Sequence, residues 1–389
     1  MPIKNRLADM HAEIAEWRRD LHQHPEIMYE TRRTASLVAK KLTEFGCDEV
    51  VEGIGRTGVV GLIKGRSNTS GRVIGLRADM DALPMQEATG LQYASATPGA
   101  MHACGHDGHT AMLLGAAKYL AETRNFDGAV AVIFQPAEEG GAGGRAMVED
   151  GLIERFTISE VYGMHNSPGL PVGAFAIRPG PFYAATDLFT ITIVGVGGHA
   201  AKPHVTIDPT VITCHLVLAL QTIVSRNTDP MHSIVVSVTS FRTASEAYNV
   251  IPERVELRGT VRTFDKDLRA TAEGRLKAIA TLTAETFGGK AIVDWKRGDP
   301  SMVNSEEHTA FAAEVARRVS GNVDVNAPAI MGGEDFAYML EACPGAYIQI
   351  GNGDTPDVHH PKYDFNDEAI PAGASYWAEL AEFRLPAHG

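Results

Sequence analysis

Apolar residues recur every third or fourth position through LADMHAEIAEWRRDLHQ (residues 7–23), which predicts a helix stopped by Pro25. The same spacing in TASLVAKKLTEFG (34–46) predicts a second helix with Gly46 as its stop. Continuous apolar runs then replace the periodic ones: GVVGLIKG (58–65), RVIGLRAD (72–79), GAVAVIFQPAEEG (128–140) and SEVYGMHN (159–166). Runs without alternation are expected of strands buried on both faces. Between them DGHTAMLLGAAKYLAET (107–123) reads as a helix opened by Asp107 or Gly108. Strands alternating with helices predict an α/β fold, a sheet covered by helices on both faces.

From residue 186 the rhythm changes. DLFTITIVG (187–195), HSIVVSVTSFR (232–242), RVELRGTVRTF (254–264) and KAIVDWK (290–296) read as strands. DPTVITCHLVLALQTIVSR (208–226) reads as a helix capped by Asp208 with Pro209 in its first turn, and DKDLRATAEGRLKAIATLTAETFGG (265–289) as another. The order is βαββαβ, the pattern of a ferredoxin-like α+β sandwich. After residue 297 helix and strand units return in SEEHTAFAAEVARRVSG, GAYIQIG and AIPAGASYWAELAEFRL. The expected organisation is a discontinuous domain of residues 1–185 and 297–389 with residues 186–296 inserted in it.

Composition narrows the function classes. The 389 residues carry a formal net charge of −13, which argues against a nucleic-acid partner and for small-molecule or protein partners. The charged N-terminal stretch has no apolar core, which argues against a signal peptide, and no apolar run is expected to span a bilayer. Four scattered cysteines fit a reducing compartment, so a cytoplasmic protein is expected. Cys47, Cys214 and Cys343 read as small core residues, and His22 and His24 as helix-end histidines.

The candidate chemistry gathers after the strands. MHACGHDGH (101–109) packs imidazole and thiol among glycines; Asp79 and Asp81 follow one apolar run, Glu138 and Glu139 another, His165 a third, and HH (359–360) lies near the C-terminus. In open α/β sheets, sites form beyond the carboxyl ends of the strands. Taken alone, an acidic pair is a solvated surface and a single histidine a hydrogen-bonded side chain. Together, imidazole, thiolate and carboxylate suit Zn²⁺, Co²⁺, Ni²⁺ or Mn²⁺. Paired ions acidify a water, and an adjacent unligated glutamate is placed to move its proton.

The segments LRADMDALPMQE, MHACGHDGHTAMLLGAA, FQPAEEGGAGGRAMVEDG, YGMHN, GVGGHAAKPH, NVIPERVELRGTVRTF, GGEDFAYML and HHPKYDFNDEAI span nearly the whole chain in order. They resemble the M20 metallopeptidase family in its amidohydrolase branch, which holds hippurate hydrolases, N-acyl-amino-acid amidohydrolases and plant auxin-conjugate hydrolases. The resemblance implies that Cys104, His106, Glu139, His165 and His359 bind two divalent ions, that Glu138 is the general base and acid, and that Asp81 orients a ligand or stiffens the site. His359 is preferred to His360 because branch members carry a single histidine followed by serine. The wider family begins its first motif His-x-Asp; here it is Asp79-Met80-Asp81, which leaves the role of Asp79 open.

The resemblance further makes the inserted block a dimerisation or lid domain, joining the chain into a homodimer or homotetramer. It implies that His199 hydrogen-bonds the developing oxyanion, that Asn249 touches substrate, and, less directly, that Arg262 meets a substrate carboxylate. The implied activity is hydrolysis of N-acyl-L-amino acids to a carboxylic acid and an amino acid. Phe182, Tyr183 and Tyr338 are candidates for lining an aromatic acyl pocket. A dipeptidase or aminoacylase of the same family and a non-catalytic binding protein are the alternatives.

Overall fold

A computed structural model describes residues 4–387, which fall into two compact units: 4–180 with 303–328 and 335–387, and 181–302 with 329–334. Residues 181–185, 297–302 and 329–334, expected with the discontinuous domain, pack instead in the second unit. Residues 1–3 and 388–389, assigned by sequence to the discontinuous domain, lie outside the described residues.

Along the chain the main helices are α1 (Asn5–Asp9), α2 (His11–Gln23), α3 (Arg32–Glu44), α4 (His106–Thr123), α5 (Gly143–Glu149), α6 (Pro209–Leu220), α7 (Thr222–Asn227), α8 (Lys266–Thr286), α9 (Glu306–Val319) and α10 (Ile370–Arg384). The main strands are β1 (Glu49–Ile54), β2 (Gly58–Lys64), β3 (Val73–Asp79), β4 (Ala129–Gln135), β5 (Ile158–Pro168), β6 (Phe175–Ala176), β7 (Ala185–Val194), β8 (Ile234–Thr243), β9 (Arg254–Thr263), β10 (Lys290–Arg297), β11 (Val323–Asp324) and β12 (Gly345–Gly353).

The first unit is built on an eight-stranded mixed sheet in the order β1-β2-β4-β3-β5-β12-β6-β11. Its middle is parallel: β3 pairs with β4 on one side and β5 on the other, and β5 pairs with β12. Every residue of β3 and β4 is buried, which is why both read as unbroken apolar runs. α4 packs on this centre and against α2 and α10. The carboxyl ends of β3, β4 and β5 therefore open at one edge, beside the amino end of α4.

At the opposite end of β5, Glu160 is buried and accepts from Arg384 at 2.8 Å, from Tyr162 Oη at 2.9 Å and from Arg72, with His308 Nε2 3.1 Å away. Burial alone raises a carboxyl, but His308 and Arg384 outweigh it and lower Glu160 to about 2. A folded value below the unfolded one means stability present above pH ~4.5 and lost as pH falls towards 2. Glu160→Gln is expected to cost about 3 kcal/mol at pH 7, and the gap in thermal stability from wild type should narrow by pH 3.

The second unit holds a four-stranded antiparallel sheet in the order β8-β9-β7-β10, with α6 and α8 packed on it and on each other. Phe189, Ile191 and Ile193 alternate into its core against Ile212, Leu216, Leu276 and Ala280. Asp208 caps α6 by accepting from Thr210 N at 2.8 Å, and Asp265 caps α8 through Leu268 N at 2.7 Å.

Several expectations need correction. The first helix breaks at Met10, and β1, short, edge-placed and largely exposed, gave no recognisable pattern. Cys214 is exposed on the outer side of α6, because Ile212, Thr213 and Leu216 take the inner side. The stretch Pro209–Asn227 is, contrary to expectation, long and apolar enough to cross a membrane by length and composition alone, with 19 residues and a mean hydropathy of 1.2. It divides at Gln221, and its buried Ile212, Leu216, Leu220 and Ile223 line the core of the second unit. Phe182 is fully buried and Tyr183 nearly so, which removes Phe182 from any pocket wall.

Candidate metal centre

The centre forms where β3, β4 and β5 end. Asp79 is the last residue of β3, and Asp81 lies two residues beyond. Gly105 caps α4 in a left-handed conformation, φ 92°, so the helix opens at His106, one residue before the earliest start expected. A Cβ at Gly105 would overlap the Asn166 amide and the Tyr363 hydroxyl, so only glycine lets Cys104 and His106 approach β5 this closely.

The donor atoms meet in overlapping groups, each within 4.8 Å: Cys104, His106 and His165; Cys104, Glu139 and His359; His106, Glu138 and Glu139. The structure thus brings together all five sequence-proposed ligands, with Glu138 beside them and Cys104 common to two groups. The acidic pair is clamped from behind: buried Asp81 accepts the backbone N–H of Glu138 at Oδ1, 3.0 Å, and that of Glu139 at Oδ2, 3.1 Å. Ala137 and His359 hold positive φ, 54° and 64°, and left-handed backbone at non-glycine residues gathers at functional sites.

Hydrogen bonds fix the imidazole tautomers. His106 Nδ1 lies 2.9 Å from the Asp81 carbonyl, and His165 Nδ1 lies 2.6 Å from the Asn166 carbonyl. A carbonyl only accepts, so both rings carry a proton on Nδ1 and turn Nε2 inward as the atom that would face an ion. His165 Nε2 faces Cys104 Sγ at 3.3 Å. His106 Nε2 is buried and has no hydrogen-bond partner among the described residues. Glu139 Oε1 is likewise buried without one, although His359 Nε2 stands 3.3 Å away.

The electrostatics call for positive charge. Burial lowers a histidine, but Asp79 and Asp81 outweigh it and raise His106 to about 10. Burial, then Glu139 and Glu138, lifts the Cys104 thiol well above its usual range. Burial and the neighbouring His109 drive His165 well below the ordinary range. Lone pairs aimed inward, an orphaned imidazole nitrogen and surplus carboxylate fit divalent ions.

The profile of peptidase family M20/M25/M40 matches residues 75–382, which spans the centre and most of both units. The chain belongs to that family. Hippurate hydrolase of Campylobacter jejuni is 42% identical to it over 377 residues, covering 96% of this chain and 97% of the relative. N-acetylcysteine deacetylase of Bacillus subtilis is 40% identical, covering 95% and 96%. The YXEP protein of Bacillus subtilis, described as a dinuclear metal binding peptidase from the M20 family, superposes with a TM-score of 0.85 at 38% identity, covering 97% of this chain and 99% of that one.

In this M20 chain Asp79 ends β3. Its carboxylate is buried, bonded to Arg77 at 2.6 Å and to His109 Nδ1 at 2.6 Å. Burial raises it, but His106, Arg77 and His109 outweigh that and hold it well below the usual carboxylate range. In the second unit, His199 pairs with Val250 in a two-stranded ladder, and Asn249 O accepts from Ala200 N at 3.0 Å, which brings His199 and Asn249 side by side, both exposed.

Sequence reasoning missed one buried network. His22, read as a helix-end histidine, is buried with Nδ1 2.8 Å from Asp107 Oδ2, where Arg18 also converges at 3.5 Å. Burial lowers His22, but Asp107 outweighs it and raises it to about 9. The pair braces the first turn of α4 next to His106. No local signal joins residues 85 positions apart. His102 is buried, with both ring nitrogens lacking hydrogen-bond partners among the described residues, and burial lowers it to about 4.

Proposed function

We propose that this protein is a binuclear metal-dependent amidohydrolase cleaving N-acyl-L-amino acids into a carboxylic acid and a free amino acid. The observation that carries the reading is the pair of tautomer-locked imidazoles turned on Cys104 beside the clamped Glu138–Glu139 pair. Cys104, His106, Glu139, His165 and His359 would hold the two ions. Such ions supply Lewis acidity, acidifying water and drawing charge from an amide carbonyl oxygen. Glu138 takes the proton from the attacking water as oxygen bonds to the acyl carbon. It returns that proton to the nitrogen as the C–N bond breaks. Asp81 holds both glutamates in register without touching substrate.

The second unit, with the strand order of a ferredoxin-like sandwich, serves as lid and dimerisation domain. His199 Nδ1 accepts from Ala201 N at 3.0 Å, so the neutral ring carries its proton on Nε2 and offers a donor suited to an oxyanion. Asn249 and half-buried Arg262 are the substrate contacts, the latter for a carboxylate. Exposed Val211, Leu218, Val224 and Leu282 on its helices, and sheet edges at β8 and β10, suit pairing with a second copy.

The test is turnover of metal-free protein reloaded with Mn²⁺, Co²⁺, Zn²⁺ or Ni²⁺, on benzoyl-, acetyl- and indoleacetyl-amino acids and on alanyl dipeptides. Release of the amino acid from acylated substrates is expected. Turnover of dipeptides alone would make it a dipeptidase, and tight binding without turnover a binding protein. Light scattering on the eluting protein is expected to give at least a dimer mass.

A further inference from the structure

Asp79 and His109 lie outside the set of ligands and the general base, yet both are fully buried at the centre. Their hydrogen bonds form a chain with a single consistent proton arrangement. The backbone N–H of Asn166 donates to His109 Nε2 at 2.9 Å. That nitrogen must therefore carry a lone pair, and the ring proton sits on Nδ1, facing Asp79 Oδ1 at 2.6 Å. The other Asp79 oxygen accepts from Arg77, which also bonds Asp335 at 3.1 Å and Gln135 at 2.9 Å. The Asn166 main chain is thus held on either side of its Cα, its N–H, in the peptide that follows His165, by His109, and its carbonyl, in the next peptide, by His165. Asn166 Nδ2 adds a bond to the Cys104 carbonyl at 2.6 Å, so the same residue ties β5 to the loop carrying the thiol.

We infer that Asp79 and His109 are positioning residues: through the main chain of Asn166 they fix the direction of the His165 Nε2 lone pair towards Cys104. This rests on the reading of Cys104 and His165 as ion ligands.

The proton arrangement makes Asp79→Asn informative. An asparagine presenting oxygen to His109 turns its NH₂ on the Arg77 guanidinium. Presenting NH₂ to His109 instead forces the ring proton onto Nε2, against the Asn166 N–H. Either orientation leaves two donors face to face. His109→Phe keeps the ring volume and removes both bonds. His109→Gln, with an amide oxygen and nitrogen spaced much like the two ring nitrogens, is able to restore both.

The experiment is competition of Zn²⁺ and Co²⁺ between each ion-free protein and a chromophoric chelator, with melting of the ion-free proteins alongside. D79N and H109F are expected to bind one of the two ions about 10–100-fold more weakly, with H109Q returning to within a few-fold of wild type. Wild-type affinity in both D79N and H109F overturns the relay. So does an H109Q protein that regains the melting temperature but not the affinity, since that marks packing alone. Should H109F fail to fold, D79N against H109Q decides by the same criteria. A wild-type protein that takes up no divalent ion overturns the metal-centre reading itself.

Discussion

Glu138→Gln is expected to keep its full complement of divalent ion and to lose turnover by about a thousandfold, the scale of a deleted general acid–base group. The amide preserves size and the backbone clamp, because Asp81 holds position 138 through its main-chain N–H at 3.0 Å and not through its side chain. What disappears is the ability to take a proton from water and hand it to the departing nitrogen. Adjacent Glu139 faces His359 at 3.3 Å and shares a group with Cys104, so Glu139→Gln is expected to do the reverse and shed ion first. Metal content by mass spectrometry beside kcat separates the pair. Ion loss in Glu138→Gln would mean that the two glutamates exchange roles.

Removing the ion donors is expected to have an effect at least as large. In His106→Ala the buried Nε2 is gone and its Nδ1 link to the Asp81 carbonyl is cut, so the strand-end loop loses an anchor as well as a ligand. Ion content should fall and hydrolysis should drop to background, as it should in wild type stripped by chelator. Only the stripped wild type should recover when Zn²⁺, Co²⁺, Mn²⁺ or Ni²⁺ is returned. Uptake should release protons into a weakly buffered solution, because the thiol of Cys104 and the imidazole of His106 are both held protonated without a cation. Hydrolysis persisting after complete stripping would remove the metal from the chemistry.

The sequence made the site legible where local pattern and function coincide. β3 and β4 are buried along their whole length, so they read as apolar runs, and the acids at their ends stood out. Cys104 and His106 were conspicuous as a thiol and an imidazole two residues apart among glycines, and Gly105 between them takes the left-handed backbone that glycine allows. The strands and helices between residues 187 and 296 were legible through alternation on β7 and β9 and the cap Asp208. What escaped depends on pairing across the chain. β1 gains its strand geometry from β2, and its residues, only one of them buried, carry no periodic signal. His22 meets Asp107 only after α2 packs on α4. The tautomers of His109 and His165 are decided by main-chain groups, which no side-chain code announces.

The position of β12 sets a schedule for synthesis. It lies inside the sheet, between β5 and β6, yet it spans Gly345–Gly353, and His359 follows it. While the ribosome is still translating, the growing polypeptide carries a gap at the heart of its main scaffold, with an unzipped border on β5. A nascent product released before that segment emerges would display sticky, unpaired main chain and hold no complete cage, so premature termination there should yield material destined for chaperones or proteolysis.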